Sequence, residues 1–539
     1  MKIALAQINS LIGDFENNSK NIIRFIEKAR EGGAELVAFP ELSVCGYPSR
    51  DFLEFDDFIN KCLREVNNIA QHCVNIAAII GCPDYNKKGS GKRIYNAAFF
   101  LSNGEIQSVH HKALLPTYDI FDEYRYFEPA NEFQVITINN TRIAITICED
   151  IWNQTDQPMY SVQPMDILSK QKPDILINIA ASPFDYTHDK QRVEVLKRNA
   201  LKYNLPVYYV NYSGSQTELI FDGGSLAMNR KGELLKRLEF FKEDLLIIDS
   251  DSNQKEDIKS VDEIALIHDA LICGIKDYFK KLGLKRAVLG MSGGIDSALT
   301  LALAVEALGG KNVLAVLMPS QYSSDHSVND ALEMISRVGC PYKKINIDRL
   351  FNTYLEELKL HFENQIFDIT EENLQARIRS VLLMGLANKN KLILLNTSNK
   401  SEMAVGYGTL YGDLSGGLSI IGDLYKTRVY KLTEYLNRNE EIIPENIIRK
   451  APSAELKHDQ RDSDTLPDYS ILDKILFDYI ELQKSPDVIN CSDRQLVKKI
   501  ISMVDANEYK RHQTPPVLRV SPKAFGMGRR MPIVARYQS

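Results

Sequence analysis

The chain of 539 residues lacks several features that would place it quickly in a structural class. It has only 8 cysteines with no C-x-x-C pair among them, which argues against a disulfide-rich scaffold and against a structural zinc site. The 9 histidines form no H-E-x-x-H motif. No run of 18 apolar residues occurs, so we predict no membrane span. The first residues lack the full apolar core and the cleavage site of a secretory signal, and unpaired thiols fit a reducing compartment, so we expect a cytoplasmic protein.

An excess of basic charge is also missing. Lys and Arg total 65 against 71 Asp and Glu, a net charge of −6, which does not indicate a nucleic-acid-binding protein. With 44% hydrophobic and 25% charged residues, the composition is that of an ordinary globular protein. The length suits either three or four average domains or two large ones.

The first half alternates buried strands with amphipathic helices, which predicts an α/β sandwich or a doubly wound sheet. The predicted strands are Lys2–Ile8, Leu36–Phe39, Ile76–Gly81, 106–110, Arg142–Cys148, Asp174–Ala181 and Val207–Asn211, and the helices are Asn18–Glu31, Phe55–Cys73 and Asp189–Tyr203. A β-hairpin is expected over Ala227–Leu235. The polar run 249–257 indicates a linker, and we divide the chain into a domain of residues 1–250, a linker of 251–262 and a domain of 263–539.

The second half repeats a strand–loop–helix–strand order that is typical of a parallel sheet. We predict helix Val261–Leu282, strand Arg286–Gly290, helix Ala298–Leu308, strand Val313–Met318 and strand Lys391–Leu395. The last 31 residues hold seven cations and no acidic residue. We expect this basic tail to face phosphates or an acidic surface of another subunit.

Three predicted strands of the first half end beside a reactive side chain: Glu41, Lys112 and Cys148. Catalytic groups in α/β sheets gather at the carboxyl ends of strands. A carboxylate can accept the proton of a thiol, and an ammonium can stabilise the thiolate and the oxyanion of a tetrahedral intermediate. The three together predict acyl transfer through a thioester. Taken singly, such a cysteine is more often a small buried apolar residue, and such charged residues are usually solvated.

The sequence motifs around these residues are Phe-Pro-Glu-Leu, Lys-Ala-Leu-Leu-Pro-Thr-Tyr and Ile-Cys-Glu-Asp-Ile-Trp, in that order. They resemble the nitrilase, or carbon–nitrogen hydrolase, superfamily over about residues 1–250. The resemblance implies an α-β-β-α sandwich, with Cys148 as nucleophile, Glu41 as general base and Lys112 on the oxyanion side. In the glutamine-using branch it also implies glutamine contacts from Tyr118 and Ser182. A Gly-Lys pair of that branch is replaced here by His188, with Lys190 close by, so either could make the last contact.

A glycine-containing loop follows strand 286–290 and precedes a helix. Gly293 and Gly294 allow backbone N–H groups to approach an anion at the helix start. The loop lacks the lysine of a G-x-x-x-x-G-K-[ST] motif, and its word Ser-Gly-Gly-Ile-Asp-Ser resembles the ATP-pyrophosphatase family. The resemblance implies ATP contacts from Gly290, Met291, Ser292, Gly293, Gly294, Ile295, Asp296 and Ser297. By itself, a Gly-Gly pair here could simply let the helix pack on the strand.

Further words lie downstream: Glu-Asn-Leu-Gln-Ala-Arg-Ile-Arg, Thr-Ser-Asn-Lys-Ser-Glu, Gly-Asp-Leu-Tyr-Lys-Thr and Tyr-Lys-Arg-His-Gln. The first reads as a capped helix start at Thr370. Six of the 29 glycines fall within residues 406–422, which indicates close approach of the backbone to another group, although a flexible surface loop is the simpler reading.

Together these words resemble the NAD synthetase family over about residues 260–539. The resemblance implies an ATP contact from Thr397, deamido-NAD+ contacts from Asn373, Glu402 and Lys510, a phosphate-facing Lys426, and Mg²⁺ bound by Asp296 and Glu402. The whole chain would then amidate deamido-NAD+ through an adenylate, using ATP and ammonia released from L-glutamine and channelled between the domains. AMP, diphosphate and glutamate would be the other products, and a homo-oligomer, either a dimer or an octamer built from dimers, is expected.

Two alternatives remain open at this point. One is another amidating enzyme of the same nucleotide-loop family that acts on a different carboxylate. The other is a nitrilase-type hydrolase in which the second half only senses a nucleotide. The first alternative can be tested by finding which carboxylic acid triggers release of diphosphate from ATP. The second can be tested by looking for AMP after turnover, since an enzyme that only senses the nucleotide would form none.

Overall fold

The computed structural model describes residues 1–155, 157–252, 255–257, 261–362, 366–453, 455–457, 462 and 466–537. The chain forms two compact units, Met1–Val261 and Asp262–Ser539. The linker predicted at 251–262 falls at this boundary and lies partly outside the described residues. In the part of the chain that the structure describes, no helix combines the length and apolarity needed to cross a membrane.

The first unit contains fourteen strands and five α-helices among its described residues. The strands are β1 (Lys2–Gln7), β2 (Leu36–Ala38), β3 (Ala77–Tyr85), β4 (Ile94–Ser102), β5 (Glu105–His111), β6 (Val135–Ile138), β7 (Thr141–Ile147), β8 (Ile175–Ala180), β9 (Val207–Asn211), β10 (Ser213–Gln216), β11 (Leu219–Asp222), β12 (Leu226–Met228), β13 (Leu234–Arg237) and β14 (Asp244–Asp249). The helices are α1 (Phe15–Glu31), α2 (Asp56–Gln71), α3 (Glu123–Tyr126), α4 (Pro164–Leu168) and α5 (His188–Tyr203).

Two six-stranded sheets form the centre of this unit. Their strand orders are β14-β1-β2-β3-β4-β5 and β13-β12-β9-β8-β7-β6. Alternate residues of β1 point to opposite faces, so that Ile3 and Leu5 pack between the sheets while Ala4 and Ala6 pack toward α1 and α2. The predicted α-β-β-α sandwich is therefore confirmed, as is the hairpin formed by β12 and β13.

The outer helices follow the apolar periodicity expected of amphipathic helices. In α2, Ile59, Cys62 and Val66 are spaced three and four residues apart and are fully buried. Helix α1 begins at Phe15, three residues before the predicted start, because the Asp14 side chain accepts from the N–H of Asn17 and caps the helix.

The second unit contains five strands and eleven α-helices among its described residues. The strands are β15 (Ala287–Gly290), β16 (Val313–Leu317), β17 (Tyr342–Lys344), β18 (Ile393–Asn396) and β19 (Leu418–Ser419). The helices are α6 (Glu263–Lys281), α7 (Ile295–Leu308), α8 (Asp325–Val338), α9 (Asp348–Leu358), α10 (Ile369–Asn390), α11 (Lys400–Val405), α12 (Lys426–Leu436), α13 (Glu445–Arg449), α14 (Tyr469–Ile480), α15 (Arg494–Ala506) and α16 (Glu508–Arg511).

The five strands form one parallel sheet in the order β17-β16-β15-β18-β19. Chain order proceeds from β15 toward one edge and then returns to β18 on the other side of β15. Ligands of such sheets bind at this switch point, beyond the carboxyl ends of the two strands. The predicted parallel sheet is confirmed, and its switch point lies between the loops that follow Gly290 and Asn396.

Two local expectations need correction. Helix α10 is capped by Asp368, which accepts from the N–H of Thr370 and forms a reciprocal capping box with Glu371, so Thr370 is not the cap. In the basic tail, Arg511 and Arg529 both bind Glu508 at 2.6 Å. For these two of the seven cations, the partner is therefore an acidic side chain of their own unit, whereas the expectation for the rest of the tail stays a prediction.

Candidate active sites

Cys148 lies immediately after β7, at the carboxyl end of the second sheet. It begins a single 3-10 turn, Cys148–Ile151, and its φ of +41° is a conformation that residues other than glycine seldom adopt. Strained backbone of this kind is concentrated at functional sites. The residue is only 5% exposed, so the thiol is buried.

Glu41 and Lys112, from the other sheet, form a fully buried ion pair. The Lys112 Nζ donates to Glu41 Oε1 at 2.7 Å and to both carboxylate oxygens of Glu123 at 2.9 and 2.8 Å. Asn96 Nδ2 donates to Glu41 Oε1 at 2.7 Å, and the N–H of Ala181 donates to Glu41 Oε2 at 3.0 Å. Glu41 is thus held in one orientation by groups from three directions, and all three N–H groups of Lys112 are engaged.

The electrostatics of this cluster keep the thiol protonated at rest. Burial raises the pKa of Cys148 well above its usual value, and the charge of Glu41 raises it further, while Lys112 opposes both. Burial also raises the pKa of Glu123 to about 7 against the opposing charge of Lys112. For Lys112, burial lowers the pKa, but the charges of Glu123 and Glu41 outweigh burial and keep the ammonium protonated. A thiol with a raised pKa needs a general base to become a nucleophile.

Asp150 joins the ends of the strands that carry the thiol and the ammonium. Its Oδ1 accepts from the N–H groups of Ala113 and Leu114 at 3.0 and 2.9 Å, and its Oδ2 accepts from the N–H of Ile147 at 3.0 Å. The carboxylate is 4% exposed. It therefore sets the distance between the segment after Lys112 and the turn that bears Cys148.

Two of the three predicted glutamine contacts, Tyr118 and Ser182, lie on loops, and the third, His188, is the first residue of α5. Ser182 follows β8, the parallel neighbour of β7, and its hydroxyl is 2.7 Å from His188 Nε2. The His188 ring stacks on Trp152, with centroids 5.0 Å apart. Tyr118 donates from its hydroxyl to both oxygens of Glu149, at 3.1 and 3.0 Å. Glu149 directly follows Cys148 in the chain, and burial raises the pKa of its carboxyl group to about 7.

A second site occupies the switch point of the parallel sheet. A cavity of about 300 Å³ is lined there by the predicted loop residues Gly290, Met291, Ser292, Gly294, Ile295, Asp296 and Ser297, together with Thr397, Glu402 and Lys426. Gly293 has a φ of +84°, and a Cβ on it would lie 2.2 Å from the carbonyl oxygen of Ser327. Glycine is therefore required at this point for the loop to pass α8.

Two acidic side chains of this cavity share one lysine. The Lys426 Nζ donates to Asp296 and lies 3.5 Å from Glu402 Oε1. Asn399 bridges the same groups, since its Nδ2 donates to Asp296 Oδ1 at 3.0 Å and its side chain forms a capping box with Glu402. Burial, followed by the charge of Asp296, raises the pKa of Glu402 to about 8, and Lys426 opposes that rise. One lysine therefore does not fully compensate the two carboxylates.

The residues predicted to contact deamido-NAD+ divide between two places. Glu402 lines the cavity, whereas Asn373 and Lys510 bind the glycine-dense loop beside it. Asn373 Oδ1 accepts from the Thr409 hydroxyl at 2.7 Å, and Lys510 Nζ donates to the carbonyl oxygens of Gly406 and Gly408 at 2.7 and 2.9 Å. The side chains of Asn373 and Lys510 thus hold the loop that adjoins the cavity.

Sequence reasoning missed three residues of these sites. Glu123 lies in a four-residue helix with no recognisable pattern, and only the fold brings it to Lys112. Asp150 could have been noticed in Cys-Glu-Asp, directly after the thiol. Asn399 carried the clearest signal, because Asn-x-x-Glu beside a strand end is a helix-start motif.

Comparison with known proteins places both halves of the chain in families. Residues 2–259 match the carbon–nitrogen hydrolase family, and residues 267–514 match the NAD synthase family. A Synechocystis protein named glutamine-dependent NAD(+) synthetase is 42% identical over 99% of this chain and 99% of its own length. A protein of the same name from Thermotoga maritima is 38% identical over 100% and 99%.

A solved structure agrees with these matches. The glutamine-dependent NAD+ synthetase of Acinetobacter baumannii, solved in complex with ADP, is 37% identical and superposes with a TM-score of 0.79, covering 99% of this chain and 98% of that one. Full-length similarity, both family matches and the two sites described above lead to the same assignment. The chain belongs to the glutamine-dependent NAD(+) synthetase family.

Proposed function

We propose that this chain converts deamido-NAD+ into NAD+ in two linked reactions, one in each unit. The first unit hydrolyses L-glutamine to glutamate and ammonia. The second unit uses ATP to adenylate the nicotinate carboxylate and then replaces AMP by ammonia. The observation that carries the proposal is the presence of two separately built sites: a buried thiol–carboxylate–lysine cluster, and a phosphate-loop cavity with two carboxylates and a lysine.

In the glutaminase reaction, Glu41 acts as general base toward Cys148. The thiol loses its proton to Glu41 as its sulfur attacks the amide carbon of glutamine, and a tetrahedral intermediate forms. Glu41 returns the proton to the leaving nitrogen, so that ammonia departs and a thioester remains. A water molecule then loses a proton to Glu41, attacks the thioester carbon and releases glutamate and the thiol.

Lys112 holds Glu41 in place beside the thiol by an ion pair. The buried ammonium forms ion pairs with Glu41 and Glu123, and its proximity stabilises the negative charge that develops during attack. Because all three N–H groups of Lys112 are engaged at rest, one of its bonds to Glu123 must be exchanged if it is to donate directly to the oxyanion. Glu123 thus acts as the alternative acceptor that keeps Lys112 in place.

Glutamine, the source of ammonia, is bound by the residues around the thiol. We assign the carboxylate of glutamine to Ser182 and His188, since the Ser182 hydroxyl lies 2.7 Å from the imidazole of His188, the first residue of α5, and the two together form a suitable anion site. Tyr118, hydrogen-bonded to Glu149 beside the thiol, is the third proposed contact. The position of Lys190 on the exposed side of α5 supports His188 over Lys190 as the contact.

In the synthetase reaction, the loop 290–297 and Thr397 bind ATP. A nicotinate carboxylate oxygen attacks the α-phosphorus, the bond to the β-phosphate oxygen breaks, and diphosphate leaves. Ammonia then attacks the acyl carbon, loses a proton and displaces AMP. Lys426, which lines the cavity, is the proposed contact to phosphate, and Asn373, Glu402 and Lys510 are the proposed contacts to deamido-NAD+.

The donor set of the cavity fits Mg²⁺. Asp296 and Glu402 supply two carboxylates that one lysine compensates incompletely, and Mg²⁺ in nucleotide sites is usually held by one or two carboxylates together with phosphates and water. Bound there, the cation would neutralise phosphate charge and favour departure of diphosphate. Among the described residues, no group of three or more His, Cys, Asp or Glu side chains forms a metal cage.

We further propose that ammonia passes between the sites by a sheltered route. Ammonia that escaped into neutral solution would be protonated and would lose its nucleophilicity. Glutamine-driven turnover in the presence of ¹⁵N-ammonium tests this proposal, because a sheltered route predicts unlabelled NAD+. Free incorporation of ¹⁵N at the rate set by the bulk concentration would contradict it.

We also propose that the enzyme is located in the cytoplasm. All eight cysteines are free thiols, which supports a reducing compartment.

We further propose that the protein forms a homo-oligomer, either a dimer or an octamer built from dimers. Val381 and Met384, one turn apart on α10, are 65% and 39% exposed, which supports burial of this face between subunits. Sedimentation of the full chain measures the subunit number, and a monomer at micromolar concentration would rule the homo-oligomer out.

The most informative experiment measures AMP release with ATP, deamido-NAD+ and either glutamine or ammonium. We expect one AMP and one diphosphate per NAD+ with each nitrogen source, and none when deamido-NAD+ is replaced by another carboxylic acid. ATP that stays intact while glutamine is hydrolysed would contradict the proposal.

A further inference from the structure

A network of fully buried polar side chains leads away from Ser182 and does not take part in the chemistry described above. It begins at Asn211, the last residue of β9, and continues through Asp222 to Arg192 of α5. All three side chains are at most 1% exposed. Burying an ion pair and an amide in this way is costly unless the groups are well satisfied.

Asn211 clamps the main chain of Ser182 on both sides. Its Oδ1 accepts from the N–H of Ser182 at 2.8 Å, and its Nδ2 donates to the carbonyl oxygen of Ser182 at 3.2 Å. The preceding residue, Ala181, donates its N–H to Glu41. One amide side chain thereby holds the segment that presents both a donor-binding hydroxyl and a hydrogen bond to the general base.

Asp222 and Arg192 in turn hold Asn211. Asp222 Oδ1 accepts from Asn211 Nδ2 at 3.3 Å, and the Arg192 guanidinium donates to both oxygens of Asp222 at 2.8 and 3.0 Å. Since Asp222 accepts from the amide, the NH2 group of Asn211 must face it and the oxygen must face the Ser182 N–H. The NH2 group also donates to the carbonyl oxygen of Gly223 at 3.1 Å, so the ion pair and this carbonyl together fix which way the amide points.

We propose that Asn211, oriented by Asp222 and Arg192, is a positioning residue for the amide donor. It sets the place of the Ser182 hydroxyl, and hence the affinity for glutamine, without touching the substrate. This inference rests on the glutaminase function proposed above. The buried network of Asn211, Asp222 and Arg192 then serves the recognition of glutamine and not stability alone.

The test compares Asn211→Asp with Asn18→Asp in the full-length protein. The carboxylate introduced by N211D keeps the shape of the amide and the oxygen that accepts from Ser182. It loses the donor to the Ser182 carbonyl and faces Asp222 with like charge. Asn18 is a matched control in the same unit, because its Oδ1 accepts from the Leu11 N–H at 2.9 Å and its Nδ2 donates to the Leu11 carbonyl at 2.8 Å. It thus clamps another segment in the same way.

We expect N211D to raise the KM for glutamine about tenfold relative to N18D, which corresponds to about 1.4 kcal/mol, with a smaller effect on kcat, since a buried hydrogen bond to a binding residue is lost. Ammonium-dependent NAD+ synthesis should be the same in both variants. If N211D and N18D lose thermal stability to a similar extent and keep the wild-type KM, the buried network formed by Asn211, Asp222 and Arg192 is structural and the proposal is wrong.

A gentler variant covers the case in which N211D does not fold. The Ser225 hydroxyl accepts from the backbone N–H of Asn211 at 3.0 Å, so Ser225→Ala loosens Asn211 without adding charge. Because only one weak hydrogen bond is lost, we expect the KM for glutamine to rise about two- to threefold. An unchanged KM in soluble S225A would count against the proposal. If instead the wild-type protein uses only ammonium and leaves glutamine intact, the proposed glutaminase itself has failed.

Discussion

Lys112 and Glu41 form an ion pair of 2.7 Å in which both side chains are fully buried. A pair of this kind is strongly destabilised when one partner is removed, because the other charge is then buried alone. Here Glu123 provides a second carboxylate, so the ammonium faces two anions. The arrangement fixes the proposed general base in one position, while burial raises the pKa of the Cys148 thiol, so that the thiol needs a base when it attacks.

The first prediction concerns Glu123. Glu123→Gln removes one of the two charges that hold Lys112, and we expect kcat for glutamine-dependent synthesis to fall about 10²-fold, the lower range for a group that supports general base catalysis. The KM for ammonium should not change. Kinetics with both nitrogen sources measure this, and an unchanged glutamine-dependent kcat would show that Glu123 is dispensable.

The second prediction concerns Asp150. Asp150→Asn replaces one of the two carboxylate oxygens that accept from backbone N–H groups by an NH2 group. We expect a loss of about 2 kcal/mol in stability from the donor left without an acceptor, and a fall in kcat with glutamine. Thermal unfolding and glutaminase assays of the purified variant measure the two effects. Wild-type glutaminase activity in a destabilised variant would mean that Asp150 serves stability alone.

The third prediction separates the second site from the first. Lys426→Met leaves Asp296 and Glu402 without their shared cation, so we expect NAD+ synthesis to be lost with glutamine and with ammonium alike. Glutamine hydrolysis measured as glutamate release should persist. Lys431→Met, an exposed lysine of the same helix, is the control and should behave as wild type. Synthesis that survives in K426M would remove Lys426 from the site.

The fourth prediction is a pH dependence of stability in the second unit. Burial lowers the pKa of His268, but hydrogen bonds to Asp269 and Glu306 outweigh burial and raise it to about 9. The folded state therefore binds the proton more tightly than the unfolded state, whose pKa is about 6.5. The resulting stability is fully present below pH 6.5 and is lost as pH rises through 9.

His268→Gln tests this prediction. Because both acidic partners are about half exposed, we expect a loss of about 1 kcal/mol at pH 6 and almost none at pH 10. The difference between wild-type and variant thermal midpoints at the two pH values is the readout. An equal difference at both would show that the charge of His268 contributes nothing.

Strand and helix positions could be predicted well from the sequence where apolar periodicity was strong, as in β1, β7, α2 and α6. The three strand ends that carry Glu41, Lys112 and Cys148 followed from the same reasoning. Glu123 and Asn211 could not, because their importance arises from contacts across the chain rather than from a local pattern. Similarly, Asp368 rather than Thr370 caps α10, since two adjacent polar residues compete and only backbone geometry decides between them.

The measurement that tests the account most directly is NAD+ formation by Cys148→Ala with glutamine and with ammonium. We predict that synthesis with glutamine is abolished, because the nucleophile is gone, and that synthesis with ammonium keeps its wild-type rate, because the second site is built from its own residues. Cys82→Ala, at another buried thiol of the first unit, is the control and should retain both activities. Loss of both activities in C148A, or retention of glutamine-dependent synthesis, would contradict the account.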